Sequence, residues 1–506
     1  MYEDITCPYC FEHFSHEDVW FRAANFYNKE QFDKAGYGRD KSEIESMPDG
    51  DEKSEILKEY NLREHFEPKR DEKYYEFWSR FGGTSEDPGN GTIPVYDRPI
   101  IKPGFLGVSN LIYDDDGFAI AVKDPWGTET RERVCPHCHN PLPLRYGKYP
   151  VKYISVIGIS GAGKTVFLSK LIEQITIYAA KLGLPADPAK TSRAFVDNNL
   201  IEENRPLPVP TQKEYLTQPL FYQLKYGKNN ATFVIYDIAG ETCREFNDIV
   251  KYGSFVLNSS GIMLLIDPTE LGFDGNIHTH ELDSVLTNIN SLFAKNDLID
   301  IPLAVCISKS DTIRESIPSQ CFENVTTDKK LFNTAAYNKI SEGLSHFFDN
   351  RSPTTKTKLK AYYKTYNFFA ITTLNCDVEI KKIVDSEGFE IEAKVPVLPP
   401  NPKRIEEPLY WLFKNFGYIK ADGDIYTPRN EDLQIKVSEL KQKYDELIEV
   451  FESNNWGIFG KKKINGKSKN DIKKEIDDIT ANIADLKCEM LLYSQWLVEV
   501  DELWEM

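Results

Sequence analysis

The stretch Tyr153-Ile154-Ser155-Val156-Ile157-Gly158-Ile159-Ser160-Gly161-Ala162-Gly163-Lys164-Thr165 decides the reading of this chain. An apolar, β-branched run ends at Gly158, and the pattern Gly-x-x-x-x-Gly-Lys-Thr follows, the signature of a phosphate-binding loop. The glycines let successive backbone N–H groups turn inward around a phosphate chain. A helix expected over Val166 to Leu182 offers its N-terminus to the same anion. Gly158, Ser160, Gly161, Ala162, Gly163, Lys164, Thr165 and Val166 are therefore the candidate nucleotide-binding residues. In such a loop the Lys164 ammonium reaches the β- and γ-phosphates, and the Thr165 hydroxyl suits Mg²⁺.

Downstream the pattern of strand, loop and helix repeats, which predicts an α/β domain over about 151–420 with a mostly parallel sheet and helices on both faces. Leu220 to Tyr226 and Thr232 to Tyr236 read as a hairpin, and Gly261 to Ile266, Pro302 to Ile307 and Phe368 to Ile371 as buried strands. Three motifs fall at strand ends. Asp237-Ile238-Ala239-Gly240-Glu241 has the Asp-x-x-Gly form, in which the Asp supports Mg²⁺ through water and the Gly N–H senses a γ-phosphate. Ser308-Lys309-Ser310-Asp311 places a carboxylate that can accept two hydrogen bonds from guanine, where adenine offers neither donor. Thr372-Thr373-Leu374 puts backbone N–H groups within reach of the guanine O6. Ligands of open α/β sheets sit at the carboxyl ends of strands, so the four motifs point to one pocket.

Cys7-Pro8-Tyr9-Cys10 and Cys135-Pro136-His137-Cys138 lie before this domain. Each is a knuckle of two thiolates spaced to take one edge of a tetrahedral Zn²⁺. Cys7, Cys10, Cys135 and Cys138 are the expected ligands of one zinc ribbon spanning 1–150, interrupted by a long insertion. His13, His16, His137 and His139 read as surface residues beside the knuckles. Within the insertion a helix is expected near Asp71 to Phe81, and Asp114-Asp115-Asp116 reads as a solvated hairpin turn rather than a Ca²⁺ loop.

Between Thr312 and Lys364 lies a partly helical insertion, a lid, a partner surface or a passive addition. Val378 to Val397 reads as a hairpin turning at Ser386-Glu387-Gly388. Over 427–506, Leu433, Val437, Leu440, Tyr444, Leu447 and Phe451, then Ile472, Ile476, Ile479, Ile483, Leu486, Met490, Tyr493, Leu497, Val500 and Trp504, form apolar seams at helical spacing. The link between them predicts an antiparallel helical hairpin, or coiled coil, that packs on its own chain or a partner. Lys461-Lys462-Lys463 at its tip read as a solvated turn.

Composition limits the alternatives. The 506 residues suffice for several domains, and 41% hydrophobic content with 12% aromatics indicates packed cores. A formal net charge of −18 disfavours a nucleic-acid platform. No run of about 18 apolar residues suggests a membrane span. The start, Met1-Tyr2-Glu3-Asp4, lacks a secretory pattern, and nine Cys with four in knuckles fit a reducing, cytoplasmic setting.

The order of these motifs resembles GTPases of the translation-factor-like (TRAFAC) class over about Lys152 to Phe416. More narrowly, a zinc ribbon ahead of the Gly-x-x-x-x-Gly-Lys-Thr domain, with Pro408-Leu409-Tyr410-Trp411-Leu412 on its last helix, resembles the bacterial double-GTPase families. The resemblance implies GTP/GDP and Mg²⁺ as ligands beside Zn²⁺. It also implies a cytoplasmic bacterial GTPase working with a sister GTPase or effector, in phage-defence (antiviral) gene sets. Carried over, Lys164, Thr165, Asp237, Gly240 and Glu241 would be catalytic, with Thr165, Asp237 and a switch threonine around Mg²⁺. That threonine is Thr217, with Thr211 the alternative. Ser308, Lys309, Asp311, Thr372 and Thr373 would hold the base. Two departures stand out. Ser308 replaces the usual Asn, which weakens its contacts to the purine and the phosphate loop. Glu241 replaces a water-positioning Gln, and its charge would repel a γ-phosphate, so slow intrinsic hydrolysis is expected. Arg205 is a candidate for charge neutralisation in cis, with a plain loop role as the alternative. The readings are thus a slow GTP-hydrolysing switch, a nucleotide-binding scaffold with little hydrolysis, or an ATPase of the same loop class.

Overall fold

Seven strands build one sheet: β1 (Val151–Gly158), β2 (Ala186–Pro188), β3 (Leu220–Tyr226), β4 (Asn229–Ala239), β5 (Gly261–Ile266), β6 (Leu303–Ile307) and β7 (Tyr366–Ala370), in the order β2-β3-β4-β1-β5-β6-β7. The structure is a computed structural model. It describes residues 2, 4–27, 41–81, 96–159, 161–181, 186–208, 218–226, 229–239, 243, 245–272, 280–293, 298–322, 334–384, 390–418, 430–453, 465–480 and 482–483. β4, β1, β5, β6 and β7 run parallel, while β2, β3 and β4 pair antiparallel. β5 and β6 are buried at every position, which explains why both read as continuous apolar runs: a strand covered on both faces cannot alternate.

The two faces of the sheet are covered by different helices. Phe233 packs on Phe413, and Phe369 on Trp411, placing the helix Glu407–Asn415 on one face. The same helix is tied to the helix Lys164–Lys181, where the Tyr410 hydroxyl donates to the Tyr178 carbonyl at 2.7 Å. Gly261 permits this contact, since a Cβ there would lie 2.8 Å from Leu412. On the opposite face the Ser155 hydroxyl meets Ser259 at 2.6 Å, and Tyr236 packs on Phe255 of the helix Phe246–Leu257. The helices Thr334–Arg351 and Pro353–Tyr362 fall within the long segment after β6. Among the described residues no helix is long and apolar enough to cross a membrane.

Before β1, the short strand Trp20–Arg22 pairs with Ile100–Ile101 and Arg133–Val134, and Ile112–Tyr113, Ala119–Lys123 and Glu129–Thr130 form a meander. Helices Lys41–Glu45, Asp51–Phe66 and Glu72–Ser79 lie between them. The last begins at an Asp71 side chain that accepts from the Tyr74 N–H, a standard N-cap, and it buries Tyr74, Tyr75, Phe77 and Trp78. The charge-rich surroundings had hidden that apolar face. The acidic triplet does form a hairpin turn, and within it the Asp114 side chain is only 7% exposed, because Lys148 approaches it at 2.8 Å and it accepts the Asp116 and Phe118 N–H groups. The turn is anchored through Asp114 and is open to solvent at Asp115, Asp116 and Gly117.

After β7 an arm of two strands, Val378–Val384 and Glu390–Pro396, pairs antiparallel. The helix Asn430–Ser453 follows, and residues 469–480 are helical. Lys469 lies over the Phe451 ring at 4.9 Å while Glu475 meets Lys443 at 3.4 Å, so the two segments run in opposite directions. Ile472 and Ile476 pack there on Tyr444, Leu447 and Phe451. Lys461 to Lys463 and the seam positions from Leu486 to Trp504 lie outside the described residues.

Candidate functional site

The register of the sheet brings the candidate residues to one edge. Gly158 at the end of β1 is level with Ala239 on β4 and Leu265 on β5; Ile266 is level with Ile307 on β6, and Ile307 with Ala370 on β7. The segments that follow these strands therefore leave from one edge, where they carry the phosphate loop, the Asp237 motif, Asp267, Ser308 to Asp311, and Thr372-Thr373.

The phosphate loop turns through Gly161 (φ 78°) and Gly163 (φ 70°), backbone that side chains disfavour. Gly158 is required for a different reason: a Cβ there would sit 2.8 Å from the Lys164 side chain, which doubles back over it. The helix opens at Lys164 itself, with the Phe167 N–H donating to the Gly163 carbonyl at 2.8 Å. Ala162 is buried and Thr165 and Val166 are half-buried. The buried Lys164 ammonium contacts the Asp237 carboxylate, so the sequence-expected phosphate and magnesium groups meet in space. Ser160, Thr211, Thr217, Gly240 and Glu241 lie outside the described residues. Arg205 is exposed and faces Glu202 at 3.8 Å.

After β6, Lys309 stands in the left-handed region (φ 46°) and reaches across to the phosphate loop, donating to the Gly161 carbonyl at 2.6 Å. It also pairs with Asp267 at 2.6 Å. Asp267 is buried, caps the turn Pro268–Leu271 and accepts from Thr269. The sequence reading passed over this residue; its one signal was an Asp-Pro pair directly after a fully buried strand. Ser308 is buried and donates to the Ile266 carbonyl at 3.0 Å, so it ties β6 to β5, and Lys309 makes the bridge to the phosphate loop. Asp311 is half-buried, and its N–H donates to the Thr372 hydroxyl at 3.2 Å. Ser310 and Thr372 share a hydroxyl contact at 2.9 Å. Thr372 is pinned by exchanging backbone bonds with Lys403, at 3.0 and 2.7 Å.

The second site is the cysteine cluster. Cys7, Cys10, Cys135 and Cys138 bring their four sulfurs within 4.8 Å of one another, although up to 131 residues separate them. A tetrahedron with metal–sulfur bonds of about 2.3 Å has edges of about 3.8 Å. The Cys7–Cys138 and Cys10–Cys135 sulfurs are 3.7 and 3.8 Å apart, so the donor set fits zinc. The two knuckles repeat each other. Phe11 (φ 59°) and His139 (φ 55°) are left-handed, and their N–H groups return to the Cys7 and Cys135 carbonyls. The Tyr9 and His137 N–H groups donate to Cys7 and Cys135 sulfurs at 3.4 Å. Burial pushes the Cys7 thiol well up, whereas hydrogen bonds from Cys10, Cys138 and Cys7 hold the Cys135 thiol far down.

The insertion completes this site. Asn140 donates to the Cys138 sulfur at 3.3 Å, and its carbonyl oxygen accepts the Trp78 indole N–H at 2.8 Å. His139 is buried rather than on the surface, because Asp71 meets its Nδ1 at 2.7 Å and Arg22 donates to its carbonyl and to Asp71. His13, by contrast, is exposed.

Known proteins resemble parts of this chain. One curated protein, the putative ESX-1 scaffolding and assembly protein SaeC of Mycolicibacterium smegmatis, is 22% identical over 202 residues, 36% of this chain and 51% of that protein. The chain thus spans about half the length of that relative. Two solved structures overlap with it. A GTP-binding protein from the archaeon Sulfolobus solfataricus in complex with GDP is 13% identical, covering 44% of this chain and 46% of that one, at a TM-score of 0.21. Sup35 complexed with GDP is 10% identical, covering 51% and 65%, at a TM-score of 0.21. A family model, Double-GTPase 2, matches residues 152–361, from β1 to the end of the helical segment before β7. Over those residues this chain is similar to the double-GTPase 2 family.

Proposed function

We propose that this chain is a GTP-hydrolysing switch of low intrinsic rate that works with a protein partner. The observation that carries the reading is the alignment of five parallel strand ends, which brings Lys164, Asp237, Lys309 and Asp311 to one edge. In this reading the phosphate loop and Lys164 hold the phosphates, while Thr165 and Asp237 support Mg²⁺, which neutralises charge developing on them. Asp311 accepts from the guanine N1–H and exocyclic amine, and Thr372-Thr373 back the O6 side. Hydrolysis joins a water oxygen to the γ-phosphorus and breaks its bond to the β–γ bridging oxygen, leaving GDP, inorganic phosphate and a proton. Thr217 or Thr211, with Gly240, would order around the γ-phosphate and relax after its loss. Glu241 carries a charge where a neutral amide would orient the water, which supports a slow rate. Four thiols at zinc spacing support a structural Zn²⁺ in the N-terminal region.

The test is single-turnover hydrolysis of radiolabelled GTP by purified protein, with competition by ATP on a fluorescent guanine nucleotide. Phosphate release without ATP competition supports the switch. ATP displacing the probe as well as GTP does would indicate an ATPase and overturn the base assignment. The name of the mycobacterial relative, with Glu241, favours one second reading: a GTP-binding scaffold that recruits a partner with little turnover. Tight GTP binding with no phosphate release, alone or with the partner, would select it. A bacterial cytoplasmic setting, a sister GTPase as partner and a defence role belong to the proposal and rest on the family resemblance.

A further inference from the structure

We infer that Tyr236 and Phe11 are positioning residues for Asp237, and that through them the first cysteine turn sets how firmly the nucleotide site holds magnesium. The inference rests on the nucleotide reading above and adds a residue path to it. Tyr236 and Asp237 are neighbours on β4, so their side chains leave opposite faces of the sheet. Asp237 faces Lys164 and the phosphate loop. Tyr236, fully buried, donates its hydroxyl to the Pro8 carbonyl at 2.9 Å. Pro8 lies between the ligand candidates Cys7 and Cys10, and Phe11 directly follows Cys10. The Phe11 ring packs on Tyr153 of β1, Tyr236 of β4 and Phe255 of the following helix, with centroids 5.8, 6.0 and 5.2 Å away. The Tyr153 hydroxyl in turn donates to the Thr6 carbonyl at 3.1 Å.

The contacts that seat the turn on the sheet thus come from Thr6, Pro8 and Phe11, whose backbone is shaped by Cys7 and Cys10. Cys7 and Cys10, if they hold zinc, would keep the Pro8 carbonyl where Tyr236 needs it. Without that anchor a buried hydroxyl loses its acceptor, which a native structure avoids by shifting. A shift at 236 is passed to 237 by one peptide unit, and in the proposed function Asp237 supports magnesium. Linkage is reciprocal, so magnesium nucleotide must also tighten the zinc turn.

The experiment measures the Mg²⁺ concentration that gives half-maximal retention of a fluorescent GDP analogue. It uses full-length wild type, Tyr236→Phe and Phe11→Leu, with zinc content and Tm on the same samples. Tyr236→Phe keeps the ring and removes only the hydroxyl, so its midpoint should rise about fivefold, the worth of one hydrogen bond. GDP affinity in EDTA should stay the same, as should zinc content. Removing zinc from wild type should move the midpoint the same way, and removing it from Tyr236→Phe should add little, because both act through one bond. A purely structural zinc turn would lower Tm in each case and leave every midpoint alone, which overturns the inference. So does a zinc effect equally large in both proteins. Wild type that binds no GDP overturns the proposed function itself; bound GDP with unmoved midpoints overturns this inference only. Should Tyr236→Phe fold poorly, Phe11→Leu carries the same comparison.

Discussion

Asp311→Asn is the sharpest perturbation of the base site. The residue is half-buried, and its backbone is held by the Thr372 hydroxyl, so the substitution keeps the loop and changes only what the side chain offers. A carboxylate accepts both guanine donors, whereas an amide accepts one and sets its own N–H₂ against the other. Charge-assisted bonds contribute about 1.5–3 kcal/mol each. Because Asp311 is only half-buried, the loss of both should cost about 3 kcal/mol, roughly a 150-fold weaker GTP affinity. The same amide matches xanthine, which presents one donor and one carbonyl at those positions. Xanthosine triphosphate should therefore bind Asp311→Asn better than wild type by at least about tenfold. Displacement of a fluorescent nucleotide, read for GTP, XTP and ATP on both proteins, tests this. Equal GTP affinity in the two proteins would refute the placement of the base at Asp311.

Other substitutions test other joints. Gly158→Ala places a Cβ 2.8 Å from Lys164 and should abolish nucleotide retention in a filter-binding assay while far-ultraviolet circular dichroism stays near wild type. Cys135→Ser, or chelation, should remove close to one zinc per chain by metal analysis and lower Tm. Arg22→Ala leaves Asp71 buried without its guanidinium partner, which costs about 3–5 kcal/mol. Limited proteolysis should then cut the insertion between the knuckles first.

The parts legible in the sequence were those whose signal is local. β5 and β6 announce themselves by unbroken apolar runs, the phosphate loop by its glycines, and each knuckle by two cysteines three positions apart. The order of motifs placed them on one sheet edge because parallel strands must all end there. What stayed hidden depends on contacts between distant residues. Trp78 and Asn140 are 62 positions apart, and nothing near either one marks their hydrogen bond. His139 and Asp71 each look like surface residues until Arg22 joins them. Edge strand β2 is Ala-Asp-Pro, a sequence of poor strand propensity that pairs only because β3 offers it an open edge. The arm after β7 reads as a hairpin, and its strands do pair antiparallel. What the sequence did not signal is that its second strand also accepts the Asn204 and Leu207 N–H groups at 2.9 and 2.8 Å, from the segment just ahead of Thr211.

The pairing of Lys164 with Asp237 bears on how magnesium and nucleotide arrive. Both side chains are buried, so neither charge can be left alone without a large desolvation cost. Phosphates that draw Lys164 away would leave Asp237 facing like charge across a dry gap. In the proposed function, Mg²⁺ bound with the nucleotide would be held by Asp237 and would offset that penalty, leaving Lys164 to the phosphates. The exchange then trades one ion pair for two and keeps the site near neutral. Nucleotide and metal should consequently bind as one unit: GDP affinity should fall at least about 30-fold in EDTA, the worth of a single uncompensated buried contact of about 2 kcal/mol. Asp237→Asn should flatten that difference, since a neutral amide needs no metal to face phosphate. Calorimetric titration of GDP with and without Mg²⁺ on the two proteins decides it, and an unchanged metal effect in Asp237→Asn would show that Asp237 does not answer to magnesium.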